Sequence, residues 1–160
     1  MGLRRRTVST GLIVAALVPS ARAGPDSITL RLTSVAVRIV PTDIRPAGAS
    51  RGDTVTYRDT LVNASPQFGR KTGATVGQDE GTMTFTGPTT ATFDGKAVLP
   101  NGTIRLYGPV KALPGGALGI PVAGGTGRYA HAHGTLTVGV GQGKRAPNTY
   151  SLVFTSGPVA

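Results

Sequence analysis

The sequence predicts an all-β domain with antiparallel pairing. Three observations carry this. Apolar residues alternate with polar ones over short runs, glycine (24) and proline (12) punctuate those runs, and no stretch repeats its apolar residues at the 3.6 period of a helix. With no crossover helices to return the chain, neighbouring strands must run in opposite directions, and closely spaced short strands argue for a sandwich or a barrel.

Taken in order, Ile28, Leu30 and Leu32 alternate, and Val35, Val37 and Ile39 alternate in the opposite phase. The switch at Thr33-Ser34 predicts a bulge, which bends a sheet toward closure. Residues 41–51 read as a polar loop. Val55, Tyr57, Asp59 and Leu61 share one face of the next strand, and residues 71–79 and 82–86 follow as two more, broken at Gly81. Asp94-Gly95 and Asn101-Gly102 are hairpin signals flanking a short strand over residues 96–99. Residues 103–107 form another strand, 109–119 a loop, and 129–140 a long alternating run. Asn148, Tyr150, Leu152 and Phe154 share a face of the last strand. The count is about eight, and an eight-stranded barrel is either filled by side chains or holds one small ligand.

The first 23 residues read as a signal peptide. Arg4, Arg5 and Arg6 precede a short apolar run, Thr10 to Val18, and Ala21-Arg22-Ala23 offers a cleavage site ahead of Gly24. The run ends at Pro19, short of the roughly 20 apolar residues a spanning helix needs. The expected product is one secreted or extracytoplasmic domain, residues 24–160. Removing residues 1–23 takes four arginines from the 17 basic residues, so 13 basic and 7 acidic side chains leave a net charge of +6. Those charges are scattered singly, without the basic patch and stacking aromatics of a nucleic-acid binder. The absence of cysteine rules out disulfides.

Four colinear segments resemble the allene oxide cyclase and dirigent barrel family. Gly52-Asp53 through Tyr57, Asp59 and Leu61 is similar to its G-D-x-x-x-[FY]-x-[DN]-x-L strand, and Gly69 through Gly73-Ala74-Thr75-Val76-Gly77 to its following G-x-x-x-G strand. Asn101-Gly102-Thr103-Ile104 through Gly108 resembles the dirigent N-G-S-T-L-S-x-x-G segment, and Val122-Ala123-Gly124-Gly125-Thr126-Gly127-Arg128-Tyr129 the V-x-G-G-[ST]-G-x-F hallmark. The resemblance covers roughly residues 28–155. It implies an eight-stranded antiparallel barrel with an apolar cavity, often assembled as a dimer or trimer. Read from the residues alone, Gly124 to Gly127 is a tight corner requiring positive φ. It is not a phosphate loop, because an alternating strand and not a helix follows it.

Asp59 is the most informative side chain. It lies in phase with Val55, Tyr57 and Leu61, where a carboxylate must be paired, hydrogen-bonded or neutralised. One reading is a structural carboxylate tied to an arginine or to backbone N–H groups; the other is a functional one. The resemblance favours the second, since the family's [DN] lies inside the barrel. In the cyclases it is Asn and helps hold a water against an epoxide oxygen. His131 and His133 alternate with Tyr129; His-x-His supplies only two metal ligands and no third is evident, so no metal is expected. His131 reads as part of an exposed stripe. His133 aligns with the pocket arginine of the dirigent A-R-G segment and would serve as donor or proton shuttle. Asp79 falls where the cyclases carry a pocket cysteine, and is equally suited to a turn with Glu80-Gly81. The cyclases' first-strand glutamate has no counterpart between Leu30 and Ile39.

The resulting expectation is a barrel that binds a small hydrophobic or phenolic molecule and directs its cyclisation or stereoselective coupling without a cofactor. Asp59 and His133 would act on an oxygen, and Tyr57, Tyr129 and Asp79 would line the pocket. The rival is an exported carrier or envelope protein with the same barrel and no chemistry, which the low aromatic content (Phe 4, Tyr 4, no Trp) favours.

Overall fold

A computed structural model describes residues 26–44 and 48–154. Residues 1–23, which the sequence reads as a signal peptide, and the expected cleavage point lie outside the described residues. Nine strands form one sheet: β1 (Ser27–Thr42), β2 (Thr54–Asn63), β3 (Thr75–Phe85), β4 (Ala91–Leu99), β5 (Gly102–Pro109), the two-residue β6 (Lys111–Ala112), β7 (Leu118–Gly125), β8 (Ala132–Val138) and β9 (Arg145–Phe154). The order β5-β4-β3-β2-β1-β9-β8-β7 closes through β5–β7 pairing, so the eight long strands make an antiparallel barrel with β6 on the edge of β7. Closure leaves none of the eight long strands as a bare edge.

The core follows from the alternation. Leu30, Leu32, Leu61, Phe93, Ala97, Ile104, Leu106, Ile120, Val122, Leu136 and Leu152 point inward and are buried. The intervening threonines and charged residues point out, where Arg58–Glu80 (2.8 Å), Lys96–Glu80 (3.3 Å) and Arg105–Asp94 (3.0 Å) pair across neighbouring strands. Arg105 also lies over the exposed Tyr107 ring, so both belong to the exterior.

Four local expectations are corrected. Gly81 does not break a strand: β3 runs through it, and a Cβ there would strike the Phe93 ring, so the glycine makes room for an inward aromatic. Asp94-Gly95 is likewise mid-strand, and Gly95 pairs with both Gly81 and Leu106. The bulge in β1 falls between Ala36 and Arg38, not at Thr33-Ser34. It leaves Val37 outside and 65% exposed, so a valine in register with an apolar phase misleads. Residues 127–129 form a 3₁₀ turn instead of starting a strand, and β8 begins at Ala132.

The Gly-Gly-Thr-Gly corner behaves as its composition requires. Gly124 and Gly127 have φ of 109° and 57°. A Cβ on Gly125 or Gly127 would collide with the carbonyls of Thr103 or Asn101. This close approach lets Thr126 and Arg128 donate their N–H groups to those two carbonyls (2.8 and 2.9 Å). The corner thereby locks β7 to the Asn101-Gly102 hairpin and seats Tyr129 against one end of the barrel.

Candidate functional site

The inward face of β2 and β3 carries the chemistry. Asp59 and Asp79 stand directly opposite each other in the β2–β3 register, and Tyr57 lies one inward position from Asp59. Asp79 is buried (1% exposed) and Asp59 half-buried. Along the same side of the barrel, the adjoining β1 contributes Ser34, and β9 beyond it contributes Asn148 and Tyr150, all buried. Asp59 Oδ1, Asp79 Oδ1, Asn148 Oδ1 and the Tyr150 hydroxyl are buried without a hydrogen-bond partner. Native interiors leave few such atoms, each costing about 1–3 kcal/mol.

These groups act on one another. Burial raises the Asp79 carboxyl to about 7, helped by the Asp59 charge. Burial also raises Asp59, with the Ser34 hydroxyl pulling the other way. Burial pushes Tyr57 up, followed by the charges of Asp79 and Asp59. Tyr150 is raised for the same reasons, burial first, then Asp79, Tyr57 and Asp59. Both tyrosines therefore remain neutral donors. Two opposed carboxyl groups resist ionising together, because the second charge is the costly one, so the pair takes up a proton around neutral pH. The cluster can thus give a proton or hydrogen bond to an oxygen and accept one nearby.

Access comes from one end. On the inward faces of β2 and β3, Leu61, Val76 and Asn63 are buried, whereas Val55, Tyr57, Met83 and Phe85 are partly exposed. Exposure therefore rises toward the end bearing the β1–β2 and β3–β4 loops. The Tyr57 and Phe93 rings stack there, centroids 5.9 Å apart. A broad concavity of about 1080 Å³ lies over outward residues including Thr56, Arg58, Glu80, Lys96 and Arg105, and Tyr57 and Gly81 also reach its lining. Its lining sets Arg38, Arg58, Lys96 and Arg105 against Glu80 and Asp94, a net charge of about +2 at most, and its surface ion pairs contribute about 0–1 kcal/mol each. The unpartnered chemistry is inside.

Asp59, Asp79 and Tyr57 come together; His133 and Tyr129 do not join them. His133 is exposed, because Ala132 and Leu136 take the inward positions of β8 and the intervening odd residues face solvent. It cannot meet Asp59. His131 is exposed too. Tyr129 is buried, but in the 3₁₀ turn at the barrel end, where its hydroxyl donates to the Pro100 carbonyl (3.3 Å). We expect His133→Ala to leave stability within about 0.5 kcal/mol and ligand-induced thermal shifts unchanged. A lost shift would return His133 to the site.

Asn148, Tyr150 and Ser34 are additions. Two had a signal: Asn148 and Tyr150 share the apolar phase of Leu152, as Asp59 shares that of Leu61. Ser34 was hidden by the misplaced bulge. Asp53 of the Gly-Asp pair is structural. It accepts from the backbone N–H of Ile44 (2.6 Å) and of Ser50 (2.7 Å), fastening the loop that enters β2. The Ile44 bond lowers its carboxyl, against a smaller effect of burial. Arg51-Gly52-Asp53 is therefore no displayed adhesion tripeptide.

A closed antiparallel barrel with a polar cluster sunk in an apolar interior is the class this structure defines. The chain belongs to the family of allene oxide cyclase barrel-like domains, whose model matches residues 33–146. Solved structures share the barrel. A pyocyanin demethylase is 24% identical, with TM-score 0.61 over 78% of this chain and 99% of that one. An exo-specific intermolecular Diels–Alderase is 18% identical, with TM-score 0.66 over 82% and 99%. A pterocarpan synthase dirigent protein is 12% identical, with TM-score 0.61 over 89% and 98%. No curated protein matches the chain. Among the described residues no helix is long and apolar enough to cross a membrane.

Proposed function

We propose that this protein is an exported barrel that takes up a small, mainly apolar or phenolic molecule and directs its cyclisation or stereoselective coupling. The observation that carries the reading is the opposed Asp59–Asp79 pair with its orphaned oxygens, facing the orphaned Tyr150 hydroxyl inside apolar walls. The Diels–Alderase and the pterocarpan synthase dirigent protein that share the barrel support it. The walls would hold a flexible chain in one reactive shape, which lowers a barrier by converting lost entropy into positioning. Asp79 would share its proton with a developing oxygen charge, and Tyr150 would donate beside it. A donor with a carboxyl near 7 is matched to neutral pH. Ser34 and Asn148 would orient the polar end of the ligand.

Native mass spectrometry of the protein recovered after export tests this. A co-purifying small molecule is expected, released by Tyr150→Phe combined with Asp79→Asn. A barrel that carries no molecule and shows no ligand-induced thermal shift refutes the reading. Recovery of the same molecule, unchanged after long incubation with the emptied barrel, would identify a carrier instead. Assembly as a dimer or trimer belongs to the same proposal, and light scattering on the exported protein measures it.

Export itself is tested by N-terminal sequencing. The secreted material is expected to start at or near Gly24. An intact Met1 in the membrane fraction would reject it.

A further inference from the structure

The distribution of charge across the barrel wall is one-sided. Every arginine, lysine and histidine among the described residues is exposed, fourteen in all, from Arg31 to Arg145. Of the described acids, Asp26, Asp43 and Asp94 are exposed, Glu80 is paired outside with Arg58 and Lys96, and Asp53 is engaged by its own loop. Asp59 and Asp79 are left, facing each other inward. Among the described residues no cation reaches them, and no donor satisfies Oδ1 of either one. Asn148 adds a third orphaned acceptor oxygen. The interior is therefore rich in acceptors and negative, inside a shell whose positive charges all point away.

A buried carboxylate is stable only when paired, hydrogen-bonded or protonated. Sharing one proton relieves one member of the pair and leaves the other charged, with only the neutral hydroxyls of Ser34, Tyr57 and Tyr150 nearby. No described residue supplies the counter-charge, which a ligand can. The stacked rings of Tyr57 and Phe93 stand at the partly exposed end of the same interior, and aromatic faces attract cations, more strongly when water is excluded. We infer that the ligand of this barrel carries a cationic nitrogen on an apolar body, the nitrogen seated between Asp59 and Asp79 and the body against the aliphatic wall. This inference rests on the reading of the barrel as a ligand site and names the chemical class of what it takes.

A set of bicyclic probes of nearly equal size tests the charge alone. N-methylquinolinium is a cation without N–H, 1-naphthylmethylammonium a cation with N–H donors, 1-methylnaphthalene neutral and 1-naphthoate anionic. Titration calorimetry on the processed protein at pH 8 is expected to show at least one cation binding tenfold or more tighter than 1-methylnaphthalene, with 1-naphthoate weakest. Preference for the ammonium over the quinolinium would assign the recognition to N–H donation, the reverse to charge and ring stacking. At pH 5 the pair holds its proton and the cation preference should shrink; Tyr57 and Tyr150 face the pair but stay neutral at both pH values, and Ser34 and Asn148 do not titrate. In the Asp59→Asn, Asp79→Asn double variant, checked for the native strand signal by circular dichroism, the preference should vanish.

Equal or tighter binding of 1-methylnaphthalene or 1-naphthoate overturns the inference, as does failure of both cations to bind in the millimolar range. A cation preference that survives in the double variant also overturns it, because the cation would then sit on the outer surface. None of these results touches the co-purified molecule, so a neutral ligand found by mass spectrometry would remove this inference and leave the ligand-site reading standing.

Discussion

Asp79→Asn is expected to stabilise the ligand-free barrel at pH 8 by about 2–3 kcal/mol and, where only the amide's cost remains, to destabilise it by about 1–2 kcal/mol at pH 4. Asp79 titrates near 7 in the folded protein against an ordinary 3.8, raised by burial and by the charge of Asp59. Between those values the folded state holds a proton that the unfolded chain has released. The unfolded state thus binds fewer protons, and stability falls as pH rises through this window. A difference of about three units corresponds to about 4 kcal/mol, fully developed above pH 7 and absent below 3.8. Asparagine removes the charge but leaves a buried amide without partners, returning about 1–2 kcal/mol of the gain. For a domain of this size the net should raise the melting temperature at pH 8 by on the order of 10 °C. Thermal melts of both proteins at pH 4 and pH 8 decide the matter, the difference between them cancelling every other titrating group. A lower melting point for the variant at pH 8 would mean that Asp79 is held by donors inside the fold, and the site would lose its main argument. An ion pair with a buried arginine, one of the two readings of the partner residue Asp59, is already removed by the exposure of every described cation.

Tyr129→Ala should cost about 3–5 kcal/mol, the range for deleting a large buried ring. Tyr129 is 1% exposed, and its ring lies so close to Gly102 that a Cβ there would sit 3.2 Å from it. The 3₁₀ turn that carries it is fixed on both sides by the glycine corner, so the cavity has little freedom to collapse. Tyr129→Phe should cost about 1 kcal/mol or less, since its single hydrogen bond to Pro100 is long. It should leave ligand-induced thermal shifts as they are. The charge felt by Tyr129 is that of Arg128, not of the aspartates that act on Tyr57 and Tyr150. Urea unfolding of both variants measures the first effect. A stability loss for the alanine variant under 1 kcal/mol would show that the ring does not close the barrel end. A weakened ligand shift in the phenylalanine variant would place Tyr129 in the site after all.

The two variants separate what alternation can reveal from what it cannot. Period two assigns a face within one strand, and it put Asp59 with Tyr57 and Leu61, and Asn148 with Tyr150 and Leu152, on the same sides that the barrel buries. It fails where the strand is not where it is drawn. Treating residues 129–140 as one strand placed Tyr129, His131 and His133 on a common face. The 3₁₀ turn breaks that phase, sending Tyr129 into the core and both histidines out. Glycines in strands misled in the opposite way, since Gly81 and Gly95 read as breaks and are instead the space a neighbouring ring requires.

The all-β class, the antiparallel barrel, the glycine corner and the carboxyl in the apolar phase of β2 are legible in the sequence. Each is a local consequence of side-chain period, turn chemistry or motif order. It took the folded barrel to reveal that Asp79 faces Asp59, that β9 brings Tyr150 and Asn148 to them, and that no described basic side chain follows them inward. Those facts depend on register between strands that are distant in the chain. A shift of one residue in either strand would turn the same side chain from the interior to the solvent.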